Sequence, residues 1–241
     1  MKYVGSKARV AKYICPIIND VIQQSGFITY LEPFVGGGNV IQYINCQRKI
    51  GYDNNPYLVA FWQALQNGWS PDKVPMSKDL YKDIRSHKDN YPMEVVALAG
   101  FCASYNAKWF GGYADITHTK AGTVRNYYDE AVRNVLAQVS RLQDVEFNCK
   151  DFFSLQCTGA VIYCDPPYRA TTGYHSSFDS NAYWQHVREL SRDNIVLCSE
   201  YTAPDDFICL WQKDLITTLN HDSRIAATEK LFRYKEGLWK M

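Results

Sequence analysis

The chain has 241 residues, of which 46% are hydrophobic and 21% are charged, and its net charge is +1. This composition excludes a disordered or fibrous protein and leaves the partner open, because a nucleic-acid binder of this charge would have to concentrate its cations on one face. The longest uninterrupted apolar stretch, residues 95–103, is too short to cross a bilayer, so we expect a cytoplasmic protein without membrane contact.

The first third of the chain alternates between strand and helix patterns. The predicted elements are a helix over 6–24, a buried strand over 28–32, a glycine loop over 33–38, a helix over 39–46, a strand over 49–52 and a helix over 56–66 with proline in its first turn. This order is typical of an α/β domain with a parallel sheet.

The pattern changes between about Gly68 and Asp144, where helices and loops rich in Trp, Tyr, Asn and Gly are expected. Strands are predicted again at 145–148, 160–164, 195–199 and 215–219, together with a helix over 182–191. We therefore predict a Rossmann-like, doubly wound α/β domain made of residues 1–68 and 145–241, interrupted by a mainly helical insertion over 69–144.

Two features after the first strands favour a cofactor that contains adenosine. Residues 32–38, Glu-Pro-Phe-Val-Gly-Gly-Gly, form a strand end and glycine turn at which the backbone could approach a ligand closely. Position 41 is Ile, so the loop lacks the G-x-G-x-x-G dinucleotide fingerprint. Asp53 follows the second strand, where a carboxylate can accept both hydroxyls of a ribose. The alternatives are an ordinary tight turn and a helix N-cap.

The strongest signal is the run of residues 161–168, Val-Ile-Tyr-Cys-Asp-Pro-Pro-Tyr. Two prolines end a buried strand abruptly, which places Asp165, the Pro166 carbonyl and Tyr168 at the carboxyl edge of the sheet. Two acceptors on a stiff turn can hold both N–H bonds of an aromatic amine, and a tyrosine ring can stack on its base. The alternative is a prolyl strand exit with a capping Asp.

Five motifs in this order resemble the Dam-type (D12 class) DNA N6-adenine methyltransferases, including their small phage forms. The motifs are residues 3–7, residues 32–38, Asp53, residues 151–152 and residues 165–168. The resemblance implies an S-adenosylmethionine-dependent methyltransferase sheet and transfer of a methyl group to the N6 amine of a flipped adenine in duplex DNA, without a metal. The cofactor-binding residues implied are Tyr3, Lys7, Glu32, Phe34, Gly36, Gly38, Asp53, Asp151, Phe152 and Asp165, with Lys7 near the carboxylate of the cofactor. The catalytic residues implied are Asp165, Pro166, Pro167 and Tyr168.

The stretch 104–128 within the insertion resembles the DNA-facing hairpin of this family only loosely. It has a local excess of positive charge among aromatic residues, which suits phosphate contact and base stacking. The candidate DNA-binding residues are Asn106, Lys108, Trp109, Lys120 and Arg125. The alternative is an aromatic-rich packed loop, and the recognised DNA sequence stays open.

Three other functions remain open at this stage: an RNA adenine methyltransferase, a DNA cytosine-N4 methyltransferase and a non-catalytic DNA-binding relative. The N-terminal motif and the insertion favour DNA over RNA, and Asp165 stands where cytosine-N4 enzymes commonly have serine. The intact catalytic turn argues against a non-catalytic relative. We expect a monomer that acts on double-stranded DNA in restriction–modification, phage self-protection or regulation.

Overall fold

The computed structural model describes residues 1–118, 122–167, 178–220 and 223–238, with backbone alone at 216–220 and 223–227. Its α-helices are α1 (Ala11–Ser25), α2 (Pro56–Gln66), α3 (Lys78–Ser86), α4 (Met93–Ala97), α5 (Tyr127–Val139) and α6 (Ser180–Leu190). Its strands are β1 (Thr29–Glu32), β2 (Arg48–Asp53), β3 (Thr117–His118), β4 (Val124–Arg125), β5 (Val145–Cys149), β6 (Ala160–Cys164), β7 (Ile195–Glu200), β8 (Phe207–Asn220) and β9 (Ser223–Tyr234). Within the described ranges, no helix is long and apolar enough to span a bilayer.

The described residues form a seven-stranded sheet in the order β5-β2-β1-β6-β7-β9-β8. The first five of these strands are mutually parallel, and β9 runs antiparallel to both β7 and β8. The chain moves from β1 to β2 and β5 on one side and later to β6 and β7 on the other, so the switch point lies between β1 and β6. The predicted Rossmann-like, doubly wound sheet is confirmed, and such sheets bind ligands beyond the carboxyl ends of the strands at this point.

Alternate side chains of the central strands enter two apolar layers, one on each face of the sheet. Tyr30, Val161 and Tyr163 join the larger layer, which includes residues of α1, α2 and α5. Leu31 and Ile162 join the smaller layer, which includes residues of α6. Burial on both faces explains why β6 is a continuous apolar run rather than an alternating one.

The insertion is mainly helical, as expected, and also contains the two-residue hairpin strands β3 and β4. Val96, Phe101 and Val135 lie in the same apolar layer as α1 and α2. Residues 98–102 continue α4 as a π-helical turn. The insertion therefore shares the core of the sheet domain, and the boundaries at 68 and 145 stay a prediction.

The helix predicted over 39–46 is wrong, because the structure has only a 3₁₀ turn at Ile41–Tyr43 and an extended Ile44. Asn19 of α1 donates a hydrogen bond to the carbonyl of Tyr43 at 3.2 Å and accepts one from the amide of Asn45 at 2.9 Å. These bonds take the backbone groups that a longer helix would need. The glycine loop therefore has no long helix directly after it.

The strand predicted over 215–219 is part of the longer strand β8, and β9 was not predicted. Residue pairs of β8 and β9 run from Phe207–Tyr234 to Asn220–Ser223. By contrast, β7 pairs with β9 only from Leu197–Arg233 to Glu200–Lys230. Since Glu200 is the carboxyl end of β7, the remaining part of the β8–β9 hairpin projects beyond the carboxyl edge of the sheet.

Candidate active site

A cavity of about 210 Å³ lies at the carboxyl edge, where β1, β2, β5 and β6 end. It is lined by residues that follow these strands and by the N-terminal segment 3–7. The lining includes the sequence-predicted residues Tyr3, Lys7, Glu32, Phe34, Gly36, Asp53, Asp151, Phe152, Asp165, Pro166 and Pro167. The topology therefore brings together residues that are up to 164 positions apart in the chain.

The glycine loop makes room for the N-terminal segment. A Cβ atom at Gly36 would lie 2.8 Å from the ring of Tyr3, and one at Gly37 would lie 2.9 Å from the Cβ of Tyr3. Gly36 also has a φ of +47°, which favours glycine. Close approach of a ligand to this loop stays a prediction; in the structure the missing side chains of Gly36 and Gly37 also let Tyr3 cross the loop.

Side chains of α2 and α5 hold the glycine loop in place through hydrogen bonds to its carbonyl groups. Trp62 of α2 donates a hydrogen bond to the carbonyl of Gly36 at 3.0 Å. Gln138 of α5 donates to the carbonyls of Gly37 and Gly38 at 3.0 and 2.8 Å. Gly38 faces Gln138, because a Cβ atom at Gly38 would lie 3.3 Å from its side chain. Gly38, which was predicted to bind the cofactor, does not line the cavity.

Asp53 is a buried carboxylate at the end of β2. It accepts hydrogen bonds from the amides of Gly36 at 3.1 Å and Asn55 at 3.0 Å, one on each oxygen. Burial nevertheless raises the pKa of Asp53 to about 6. The alternative interpretation as a helix cap is wrong, because the side chain of Asn55 caps α2 through the amides of Tyr57 and Leu58. Each carboxylate oxygen has a second lone pair, so Asp53 can still accept hydroxyl donors.

Aromatic rings form one wall of the cavity. The ring centroids of Phe34 and Phe152 lie 5.0 Å apart, and Phe178 lies 6.3 Å from Phe34. Asp151 accepts a hydrogen bond from the amide of Phe153 at 2.8 Å and so caps the turn that holds both phenylalanines after β5. Sequence reasoning missed Phe153 and Phe178; the doubled Phe was a signal for the first, and nothing local marked the second.

Carboxyl groups crowd the edge beside this wall, around one buried ammonium group. Lys7, which is 5% exposed, lies 2.7 Å from Oδ1 of Asp165 and 3.8 Å from Oε2 of Glu229. Burial and the charge of Asp165 raise the pKa of Glu32 well above its usual range, and burial raises that of Glu200 to about 7. A cationic ligand at this edge would favour the ionised forms of these two carboxyl groups.

The expectation that Lys7 lies near the carboxylate end of the cofactor stays a prediction. In the structure its ammonium group pairs with the predicted catalytic carboxylate, Asp165. A buried ammonium ion needs a carboxylate partner, and only the fold brings Asp165 and Glu229 to it. Glu229 was not predicted, because it lies in β9, the strand that the sequence pattern did not reveal.

A second, larger cavity of about 1050 Å³ adjoins the first. Residues 3–7 line both cavities, so the N-terminal segment lies between them. The larger cavity reaches Tyr105 and Asn106 of the insertion and Glu229 of β9. Tyr105 is 60% exposed. It was not predicted as a site residue, although it directly precedes the predicted residue Asn106.

The candidate DNA-binding residues have different surroundings. Asn106 lines the larger cavity with a φ of 54°, and Lys108 is exposed. The ring of Trp109 packs 4.7 Å from Phe101 and covers Gly100, where a Cβ atom would lie 2.3 Å from it. For Trp109 the packed-loop interpretation therefore fits better than base stacking.

Arg125 is exposed and pairs with Glu130, with its Nε 2.5 Å and its Nη2 2.9 Å from the two carboxylate oxygens. Its guanidinium group also lies 5.0 Å from the centre of the Tyr127 ring. Lys120 and Tyr168, the remaining predicted site residues, lie outside the described residues.

The N-terminal part of the chain, which supplies much of the cavity lining, matches one known family. The family model for the D12 class N6 adenine-specific DNA methyltransferases matches residues 3–95. These residues include the N-terminal segment, the glycine loop and Asp53. The resemblance that the motifs indicated is therefore confirmed over this part of the chain.

Two curated relatives are similar over most of this chain. The Type II methyltransferase M.FokI of Planomicrobium okeanokoites is 24% identical over 213 residues, which cover 79% of this chain and 32% of that protein. The DNA adenine methylase of Vibrio cholerae is 28% identical over 181 residues, which cover 64% of this chain and 61% of that protein. The chain thus spans about a third of the first relative and three fifths of the second.

Proposed function

We propose that this chain transfers a methyl group from S-adenosylmethionine to the N6 amine of an adenine in double-stranded DNA. One observation carries the proposal. The Asp165-Pro166-Pro167 turn meets, at the switch point of the sheet, a cavity with an aromatic wall and a buried carboxylate. The similarity to adenine-specific methyltransferases supports the same activity.

The residues of the smaller cavity fit S-adenosylmethionine. Phe34 and Phe152 offer ring faces for an adenine, and Asp53 offers acceptor lone pairs for ribose hydroxyls. A sulfonium cation at the same edge would favour the ionised form of Glu32, whose pKa is raised by burial and by the charge of Asp165. When bound, the cofactor supplies a methyl group activated by a sulfonium cation, and S-adenosylhomocysteine is the product.

Asp165 and Pro166 would hold the amine that is methylated. The lone pair of an aromatic amine is delocalised into its ring, and two acceptors that bind its N–H groups favour the geometry in which the lone pair is available. The new N–C bond would form as the methyl–sulfur bond breaks, and the methylated amine would then lose one proton to solvent. The ion pair with Lys7 orients the Asp165 carboxylate at 2.7 Å. The two prolines limit the freedom of the turn, which places the acceptors before the substrate arrives.

The target adenine has to leave the base stack, because the turn lies in a recess at the sheet edge and cannot reach an amine inside a duplex. The larger cavity, which adjoins Lys7 and reaches Asn106, would receive the flipped base. Tyr168 remains the ring proposed to stack on it. Asn106, Lys108 and Arg125 remain the proposed contacts to the flanking DNA.

The test is methyl transfer by Asp165→Ala and Asp165→Asn proteins to duplex DNA and to structured RNA. Loss of a preorganised acceptor should lower the rate at least about 10²-fold. Cofactor binding, measured by calorimetry, should remain detectable. Asp193→Asn is the matched control, because Asp193 is an exposed carboxylate before β7 at the opposite edge of the sheet. Wild-type turnover by Asp165→Ala, or transfer to RNA alone, would contradict the proposal.

A further inference from the structure

Two lysines converge on one tyrosine at the junction of α1 and β8. Lys12 and Tyr13 lie in the first turn of α1, and Trp211 and Lys213 lie on β8. The ammonium groups of Lys12 and Lys213 lie 4.9 and 4.2 Å from the centre of the Tyr13 ring. Trp211 stacks on the same ring at 6.0 Å. We call these four residues the α1–β8 patch.

No carboxylate among the described residues pairs with the charges of the patch. In the part of the chain that the structure describes, Lys12 and Lys213 form no ion pair with a carboxylate. Other surface cations do, for example Arg48 with Glu146 and Arg188 with Asp206. Both ammonium groups lie within 5 Å of one ring centre, so an anion beside that ring would be attracted by both.

The hydroxyl group of Tyr13 is a third polar group of the patch that could contact an anion. The two lysines lower the pKa of Tyr13, chiefly through hydrogen bonding by Lys213 and then by Lys12, in keeping with their positions at 4.2 and 4.9 Å from its ring centre. A phosphate group placed there would meet two ammonium donors and a hydroxyl, which is a common set of contacts to a nucleic-acid backbone.

The patch lies at the edge of the sheet that carries the candidate active site. Lys213 pairs with Glu229, one position beyond the level at which Glu200 ends β7, so it belongs to the part of the β8–β9 hairpin that projects past that edge. Leu215, two residues further along the same strand face, lines the larger cavity together with Arg9. Lys12 and Tyr13 lie three and four residues after Arg9 in the chain. The patch therefore borders the cavity that would receive a flipped base.

We propose that the α1–β8 patch binds a phosphodiester of the DNA duplex next to the target adenine, as a backbone contact outside the helical insertion. The proposal rests on the proposed function, because it takes DNA as the substrate. The duplex would then contact the protein at two places beside the larger cavity: the helical insertion and the α1–β8 patch.

The test compares duplex binding by the wild-type and Lys12→Ala/Lys213→Ala proteins across a potassium chloride series, measured by fluorescence anisotropy. Loss of this phosphate contact should reduce the magnitude of the slope of log K against log salt by about 0.9, equally for all sequences. The variant Lys12→Arg/Lys213→Arg should retain the slope, because it keeps both charges. Cofactor affinity and the melting temperature should not change, since both side chains lie on the surface.

Arg192→Ala/Lys235→Ala is the matched control, because it removes two exposed cations near the opposite edge of the sheet. Its salt slope should equal that of the wild type. If Lys12→Ala/Lys213→Ala methylates and binds DNA with the wild-type slope, the patch is not a DNA contact, although the proposed function stands. The same conclusion follows if that variant loses only binding to poly-glutamate, which would indicate an acidic protein partner. If the wild-type protein binds no duplex, both proposals are wrong.

Discussion

Asp53 gives the sharpest quantitative prediction for the cofactor site. Burial raises its pKa to about 6, although two backbone amides donate to it. The difference from the ordinary value of 3.8 corresponds to about 3 kcal/mol in the relative free energies of the protonated and ionised forms. Ribose hydroxyls that donate to the carboxylate would stabilise the ionised form and lower the pKa again in the complex.

The sign of the pH dependence follows from these values. Below about pH 6 the unliganded protein holds a proton on Asp53 that has to leave when the cofactor binds. If the pKa in the complex is about 4 or lower, affinity at pH 5 should be about tenfold weaker than at pH 7.5, with no further gain at higher pH. For the unliganded protein, this group should lower the free energy of unfolding as the pH rises from about 4 to about 6, since the folded state binds the proton more tightly.

Isothermal titration calorimetry with S-adenosylhomocysteine in buffers of different ionisation enthalpy measures both affinity and proton release. We expect release of nearly one proton at pH 5 and almost none at pH 7.5. Asp53→Asn should bind more weakly and lose this pH dependence. If Asp53→Asn keeps the tenfold change, another carboxyl such as Glu200 is responsible and Asp53 does not contact the ribose. Unchanged affinity in Asp53→Ala would lead to the same conclusion.

Three further predictions concern the insertion. Gln138→Ala should destabilise the fold by about 1–3 kcal/mol and weaken cofactor binding, because two carbonyls of the glycine loop lose their donor; urea unfolding and calorimetry measure the two effects. Trp109→Ala should cost about 3 kcal/mol of stability, whereas Tyr105→Ala should weaken DNA binding at an unchanged melting temperature; the reverse pattern would restore Trp109 as the stacking residue. Glu130→Gln should strengthen DNA binding at low salt if Arg125 contacts a phosphate, and anisotropy showing no gain would remove Arg125 from the interface.

The sequence determined the elements whose signal is local. The apolar runs of β1 and β6 are readable because both faces of these strands are buried. The helix α2 was predicted with its observed bounds, since proline at its first turn and an apolar stripe mark it without help from distant residues. The Asp165-Pro166-Pro167 turn was likewise evident, because prolines that follow a buried strand end it whatever surrounds them.

The tertiary structure decided what depends on contacts between distant residues. Residues 39–46 have a helical apolar pattern, yet Asn19 of another helix takes the hydrogen bonds that a helix would need. Gly36 and Gly37 carry a generic glycine signal, and only the fold shows that Tyr3 occupies the space beside them. The sequence around Lys7 does not distinguish it from a solvent-exposed lysine, and only the order of the strands brings Asp165 and Glu229 close to it. Sequence patterns record how a segment buries its own side chains, whereas the partner of a buried charge is set by the packing of the whole chain.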